Sequence, residues 1–132
     1  MSTPRQAATL ARLAELARMK REAELARLSK VAQTRGRLQS ALATLREAEA
    51  PLDPAEAVID PAMVAARLTH RRWSEAQQRR LNQQLALVTA DWLRAKPAAA
   101  RAFGRAAVLE QLRDEAQEDL RKRTNRAPPG MA

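Results

Sequence analysis

The chain has 132 residues, which is enough for one domain and not comfortably for two. Cysteine is absent and histidine occurs only once, at His70, so disulfides, thiol catalysis and metal sites rich in Cys or His are excluded. The net charge of +9 admits a nucleic acid, an anionic membrane or an acidic protein as partner. Acidic residues interrupt the basic ones along the whole chain, which favours a solvated helix surface over a dedicated nucleic-acid stripe.

Helix-forming residues dominate the composition. Aromatics make up 2% of the chain, and much of the 45% apolar share is alanine, which buries little area per residue. This composition is typical of a thin helix pair, in which each helix shows a narrow stripe to its partner. No stretch is apolar enough to span a bilayer, and residues 1–10 lack the apolar core of a secretory signal, so we expect a cytoplasmic protein.

The first predicted helix covers residues 5–49. Thr3 is its expected N-cap and Pro4 occupies the first helical position, where proline is favoured. No further proline occurs before Pro51, so nothing interrupts the helix.

The apolar stripe of this helix is irregular at first. Leu10 and Leu13 open it, and its register slips between Leu16 and Leu25. A cleaner run follows, which has heptad spacing from Leu28 onward with Arg35 at the skipped core position. The members of that run are Leu25, Leu28, Val31, Leu38, Leu42 and Leu45.

Residues 50–60 form the one internal boundary. They contain Pro51 and Pro54, several acidic residues and no basic residue. Proline cannot continue a helix and forces the preceding residue out of helical geometry, so we predict a turn here. Asp60 and Pro61 then act as the N-cap and first position of a second helix.

The second predicted helix covers residues 61–124 and is the longer of the two. Its apolar positions from Leu81 to Leu109 recur at alternating steps of four and three. Pro97 interrupts this run, but the pattern stays in phase on both sides, so we predict a kink rather than a stop. Residues 125–132 are predicted to be a disordered tail.

Together these elements predict an all-α protein, a long antiparallel two-helix coiled-coil hairpin in a single domain. The helices would be roughly 68 Å and roughly 96 Å long at about 1.5 Å per residue. If both run back from the turn, Arg5 lies opposite the region of Arg105, and everything after Gly104 overhangs. The overhang keeps an apolar stripe of Val108, Leu109, Leu112, Ala116 and Leu120. We expect it to dock into a partner or a second copy, unless the hairpin is offset or the first helix bends back to cover it.

No catalytic, cofactor or metal constellation stands out. The paired carboxylates Asp114-Glu115 and Glu118-Asp119 sit near basic residues at helical spacing, which salt pairing explains. A catalytic pair needs a cleft that shifts its pKa values, and a helix pair offers none. We therefore expect a protein that is not an enzyme. Trp92 falls on the seam, whereas Trp73 lies away from it, either as an interface anchor or against the first helix.

The second helix resembles a known family. The spaced residues Trp73, Arg79-Arg80-Leu81-Asn82, Trp92 and Leu109-Glu110-Gln111-Leu112, after a long basic helix and a proline-broken turn, resemble the FliJ-type proteins of flagellar type III export. The stretch 101–105, Arg-Ala-Phe-Gly-Arg, is similar to short Ala- and Arg-rich relatives of that group.

This resemblance implies a role in protein transport. Members of the family are two-helix coiled coils whose helix ends enter the pore of a hexameric export ATPase, and they also contact the membrane export gate and secretion chaperones. By this resemblance, together with the predicted overhang, the ATPase-facing positions are Leu109, Leu112, Arg113, Leu120 and Arg121. By the same resemblance the gate-facing positions are Leu68, Arg72 and Trp73. The expected location is the cytoplasm, with a peripheral position at the inner face of the membrane as a variant of it.

Two other functions remain open from the residues alone. The chain could be a generic coiled-coil scaffold that self-associates through its leucine seam. It could also be a basic helical protein that binds nucleic acid or an anionic membrane, in which case binding would weaken steeply as salt rises.

Overall fold

The computed structural model describes residues 2–49 and 60–126, and these form two long helices. Helix α1 spans Pro4–Ala48 and helix α2 spans Pro61–Arg126. No strand occurs within the described ranges, and the all-α helical hairpin with a longer second helix is confirmed. Helix α2 ends two residues beyond its predicted end, so the tail does not begin at residue 125. Of the turn predicted over 50–60, residues 50–59 lie outside the described residues, and so do residues 127–132 of the predicted tail.

Both helices begin with the caps that the sequence predicts. The Thr3 hydroxyl accepts a hydrogen bond from the backbone N–H of Gln6 at 3.2 Å, and the Gln6 side chain accepts one from the N–H of Thr3 at 3.0 Å. This reciprocal pair is a capping box. At the start of α2, the Asp60 carboxylate accepts the N–H of Ala62 at 3.0 Å. Each cap satisfies backbone donors that the first helical turn leaves unpaired.

The chain divides into two compact units. The terminal unit consists of Met1–Leu28 with Arg94–Ala132, and the middle unit consists of Ser29–Leu93. In each unit a segment of α1 packs against a segment of α2. Within the terminal unit, Ser2 contacts Asp119 while Arg21, further along α1, contacts Glu110, so the two segments are antiparallel.

The seam of the middle unit is made of large apolar side chains with one arginine among them. Leu42 is only 3% exposed. Arg35 is half-buried, with its guanidinium 4.6 Å from the centre of the Trp92 ring and its Nε donating to the Thr89 hydroxyl at 3.3 Å. The placement of Arg35 at a core position and of Trp92 on the seam agrees with the prediction from spacing.

The fully buried apolar residues described in the terminal unit are all alanine. Its buried apolar residues are Ala7, Ala14, Ala95, Ala99, Ala102, Ala106 and Ala116. Arg21 occupies a half-buried position among them, 5.5 Å from the Phe103 ring centre and 3.7 Å from the Glu110 carboxylate. Alanine side chains are short, so the two backbones can pack closely, but each contributes little buried apolar area.

The register slip predicted in the first helix is wrong. Buried and half-buried positions of α1 recur at alternating steps of three and four without a break. The residues between Leu16 and Leu25 that continue this seam are Ala17, Arg21 and Glu24, whereas both leucines are exposed. Leu13, predicted to open the stripe, is also exposed. The leucine pattern was misleading because alanine and charged residues hold the core positions here.

The predicted overhang after Gly104 is also wrong. The backbone N–H of Ser2 donates to the Asp119 carboxylate at 3.1 Å, and Arg123 donates to the Ser2 carbonyl at 2.8 Å. Therefore α1 accompanies α2 almost to its end, as in the offset hairpin that the sequence left open. The prediction assumed that the first residues of α2 pair with the last residues of α1. Instead, Glu49 at the end of α1 lies beside Ser74.

The excess length of α2 lies at its beginning. In the middle unit, the end of α1 at Glu49 stands beside Ser74 and Gln78 of α2. Of residues 61–73, only Arg67 is even half-buried.

Helix α2 runs without interruption through Pro97. Proline lacks the N–H that would bond to the carbonyl four residues earlier, and its ring crowds that carbonyl. The continuous helix agrees with the prediction that Pro97 does not stop it. The predicted kink and any hinge at this position stay predictions.

Candidate protein-binding surfaces

The first turns of α2 expose a cluster of apolar and basic side chains, which we call the α2 start surface and define as Met63, Val64, Leu68, Arg72 and Trp73. Leu68 is 49% exposed and Trp73 is 52% exposed. Leu68 and Arg72 are four residues apart and share one helix face. Trp73 is turned about 140° from Leu68 around the axis, so the structure does not bring all three predicted gate-facing residues together.

Trp73 has an aromatic neighbour on its own helix. The rings of Trp73 and His70 are stacked, with centroids 5.7 Å apart and planes at 27°. This intrahelical stack restricts the indole while leaving about half of it open to solvent. A rigid, half-exposed indole is the kind of side chain that anchors protein interfaces.

Below this surface, polar groups close the end of the middle unit. Ser74 is 1% exposed, and its hydroxyl and the Gln78 amide nitrogen are shielded from solvent without a well-aligned hydrogen bond to any described residue. Both side chains nevertheless approach the Glu49 carboxylate. The nearby donor groups of Ser74 first, and then of Gln78, favour the charged carboxylate and lower the pKa of Glu49 below its ordinary value. Sequence patterns missed this contact because serine and glutamine occupy positions where the seam elsewhere has leucine.

The predicted ATPase-facing residues divide between the seam and the surface. Leu109, Arg113 and Leu120 are half-buried at seam positions, whereas Leu112 and Arg121 are exposed. Of the five, only Leu112, at 42% exposure, and Arg121 are therefore exposed to a partner.

Two further members of the expected apolar stripe differ in burial. Ala116 is buried in the seam, and Val108 is exposed. The paired carboxylates of this region show the expected salt pairing in one case, since Arg113 donates to the Asp114 carboxylate at 3.1 Å.

The N-terminal end of α1 is held against α2 by polar contacts among Ser2, Asp119 and Arg123, which we call the Ser2 clamp. The hydrogen bond from the Ser2 backbone, assisted by the positive charge of Arg123, lowers the pKa of Asp119 below its ordinary value. The clamp closes the open end of the terminal unit and keeps both helices present there.

A groove runs along one side of the terminal unit between its two helix segments. It has a volume of about 470 Å³ and is lined mostly by apolar atoms of Ala17, Ala102, Val108 and Leu109, next to Gly104. The basic residues Lys20, Arg101 and Arg105 also line the groove, and we call these three its rim. Sequence reasoning missed this surface, although Gly104 between two arginines was a usable signal.

The described residues contain no group of three or more potential metal ligands of the His, Cys, Asp or Glu type. Within the same ranges, neither helix has a segment apolar and long enough to cross a membrane.

Comparison with known proteins gives no relatives, since no family model, curated protein or solved structure matches this chain.

Proposed function

We propose that this chain is a non-enzymatic coiled-coil component of a flagellar or type III protein export apparatus, where it acts as stalk or adaptor of the export ATPase. The main support for protein binding is the distribution of its large apolar side chains. Leucine, valine, methionine and tryptophan lie exposed on both units, while alanine predominates among the buried residues of the terminal unit. Contiguous exposed apolar side chains mark surfaces that bind other proteins, and Val64 and Leu68 lie one turn apart on one face at the start of α2.

A non-enzymatic role fits the chemistry of the two units. The two carboxylates with lowered pKa values, Glu49 and Asp119, take part in contacts between helix ends. A lowered pKa favours the charged form of each group, which suits a structural ion and does not suit a general acid at neutral pH.

The end of the terminal unit is the proposed ATPase-docking end. The family resemblance assigns docking to the helix ends, and the Ser2 clamp keeps both helices together at this end. Leu112 and Arg121 are the two predicted residues that are available there for contact. The export-gate protein would contact the α2 start surface through Leu68, Arg72 and Trp73, and secretion chaperones are further proposed partners. We propose a cytoplasmic location, peripheral at the inner face of the membrane when the gate is bound.

Co-purification with the hexameric export ATPase tests this function. We expect the wild-type chain to retain the ATPase, Arg121→Glu to lose it, and Arg72→Glu to retain it. Both arginines are exposed, so neither variant should unfold the helices, and circular dichroism checks this. A chain truncated after Gly104 would be a less informative variant, because the truncation removes the residues that pack against the start of α1.

Two outcomes would favour the other functions. If no variant retains an ATPase and the free chain dimerises, a self-associating scaffold is the better account. If the chain instead retains nucleic acid or anionic vesicles, and this binding falls steeply between low and physiological salt, the basic surface is the functional one.

A further inference from the structure

The groove on the side of the terminal unit has the geometry of a site for a third helix. Its apolar floor lies between two antiparallel helix segments, at Ala17 and Leu109. The apolar surface continues along both walls, because Leu13 is one turn from Ala17 and Leu112 is one turn from Val108, and both leucines are exposed. In an antiparallel pair these two turns lie at the same end of the groove. A helix laid along it would cover all of these side chains.

Gly104 has no explanation within the chain itself. It has no positive φ, and a Cβ added to it would meet nothing within 4 Å. Glycine in a helix interior costs about 1 kcal/mol relative to alanine, so the position weakens α2 without relieving any internal crowding. Gly36 is equally open, which means that space alone does not mark a site. Gly104 differs because it borders the groove, where a missing side chain lets a second backbone approach closely.

The rim of the groove carries positive charge. Arg101 and Arg105 are four residues apart on α2, a spacing at which like charges repel. Among the described residues, neither forms an ion pair or a hydrogen bond. Lys20, on the α1 wall, pairs with Glu24 at 3.0 Å. An occupant with acidic side chains along its flanks would therefore relieve the repulsion between the two arginines.

We propose that this groove binds an amphipathic helix with an apolar stripe and acidic flanks, contributed by another protein. A second copy of the chain is a poor occupant, because most of its net charge of +9 lies in the terminal unit and would be brought against the same charge. The inference does not depend on an export function, since it requires only the groove, its apolar floor and its basic rim.

The test uses a designed helical peptide of about four heptads, with leucine at the core positions and glutamate at the flanking ones. Its affinity for the full chain is measured by fluorescence anisotropy. We expect Val108→Glu and Arg105→Glu to weaken binding by about tenfold or more. The matched controls Met19→Glu and Arg12→Glu, which lie about 140° or more around α1 from Ala17, should bind as wild type. Val108 and Met19 are well matched, at 56% and 57% exposure.

Gly104 provides a readout that unfolding cannot imitate. Gly104→Ala is expected to raise the unfolding temperature, because alanine is the better helix former, and yet to weaken peptide binding. Gly104→Leu fills the groove further and should weaken binding more. Gly36→Ala is the control, since it should raise the unfolding temperature and leave binding unchanged.

Three results would overturn the proposal. The first is equal binding by the groove variants and their controls. The second is equal binding of a peptide in which glutamine replaces every glutamate, because this would remove the role of the basic rim. The third is a dimer of the free chain that Val108→Glu dissociates, because the occupant would then be a second copy.

Discussion

Charged side chains hold core positions in both units, and at the scale of the residue this is the unusual feature of the chain. Arg35 lies over the face of Trp92 while it donates to Thr89. A cation over an indole contributes about 0.5–1 kcal/mol at an exposed site and more when it is desolvated. A polar residue at a core position lowers stability but specifies which residues pair across the seam. We infer that Arg35 fixes the register of the middle unit in this way.

The clamp at Asp119 gives a prediction on pH. A carboxyl group whose pKa is lower in the folded chain stabilises the fold above its unfolded pKa, which is about 3.9 for aspartate. This stabilisation is lost as the pH falls through the lower folded value. We therefore expect the unfolding temperature of the wild type to drop below about pH 4, and Asp119→Asn to reduce that drop.

Circular dichroism melting curves from pH 7 to acid check this expectation. The pKa of Glu49 is also lowered in the folded chain, so Asp119→Asn should remove only part of the acid dependence. Glu118→Gln changes the net charge equally without touching Ser2, and it serves as the control. Identical pH profiles for the two variants would rule out the clamp as a source of acid sensitivity.

At the scale of the element, each helix has one continuous seam but uses two kinds of side chain along it. Leucine, valine and tryptophan predominate in the seam of the middle unit, and alanine predominates among the buried residues of the terminal unit. Buried apolar area per residue is larger for leucine, so the middle unit gains more hydrophobic stabilisation per heptad. The terminal unit depends more on close backbone packing and on polar contacts such as the Ser2 clamp.

Leu42 tests the contribution of the middle seam. Because this side chain is 3% exposed, Leu42→Ala should lower the free energy of unfolding by about 2–5 kcal/mol, through lost burial and the cavity it leaves. Leu87 is the control position for the same Leu→Ala substitution, because it lies on the outer face of α2 and is 71% exposed. Leu87→Ala should change stability by less than about 0.5 kcal/mol. Urea titration measures both, and similar losses for the two variants would mean that the seam is assigned wrongly.

At the scale of the whole molecule, net charge and exposed apolar surface have opposite effects on self-association. The exposed leucines favour association, whereas the net charge of +9 opposes contact between identical chains. The apolar seams are already used inside each unit, so the leucines that a coiled-coil dimer would need are not available. The surfaces that remain are apolar with basic neighbours, which suits an acidic protein partner better than a second copy.

The free chain is therefore expected to be monomeric. Sedimentation equilibrium at physiological salt should give the mass of one chain, 14.7 kDa, across the micromolar range. Raising the salt to about 1 M shortens the screening length to about 3 Å and removes most of the charge repulsion. A dimer that forms only at high salt would show that charge alone prevents association, and a dimer at physiological salt would contradict the prediction.

The sequence by itself determined the two helices and where each of them begins. Helix propensity, Thr3 and Asp60 as caps, and the prolines between residues 50 and 61 are local signals that need no knowledge of the partner segment. The seam from Leu81 to Leu109 was also predictable, because leucine and alanine recur there at heptad steps. Pairing between the helices was not predictable, since Ser2 with Asp119 and Glu49 with Ser74 are contacts between residues far apart in the chain.

Tertiary structure decided which side chains are free to act. The leucines Leu13, Leu16 and Leu25 suggested a stripe with a register slip, yet alanine and charged residues hold the core positions of an unbroken seam there. The same packing leaves Val108 and Leu112 outside and opens the groove beside Gly104. A helix has two flanks beside its seam. The side chains of both helices together determine which flank borders an apolar groove.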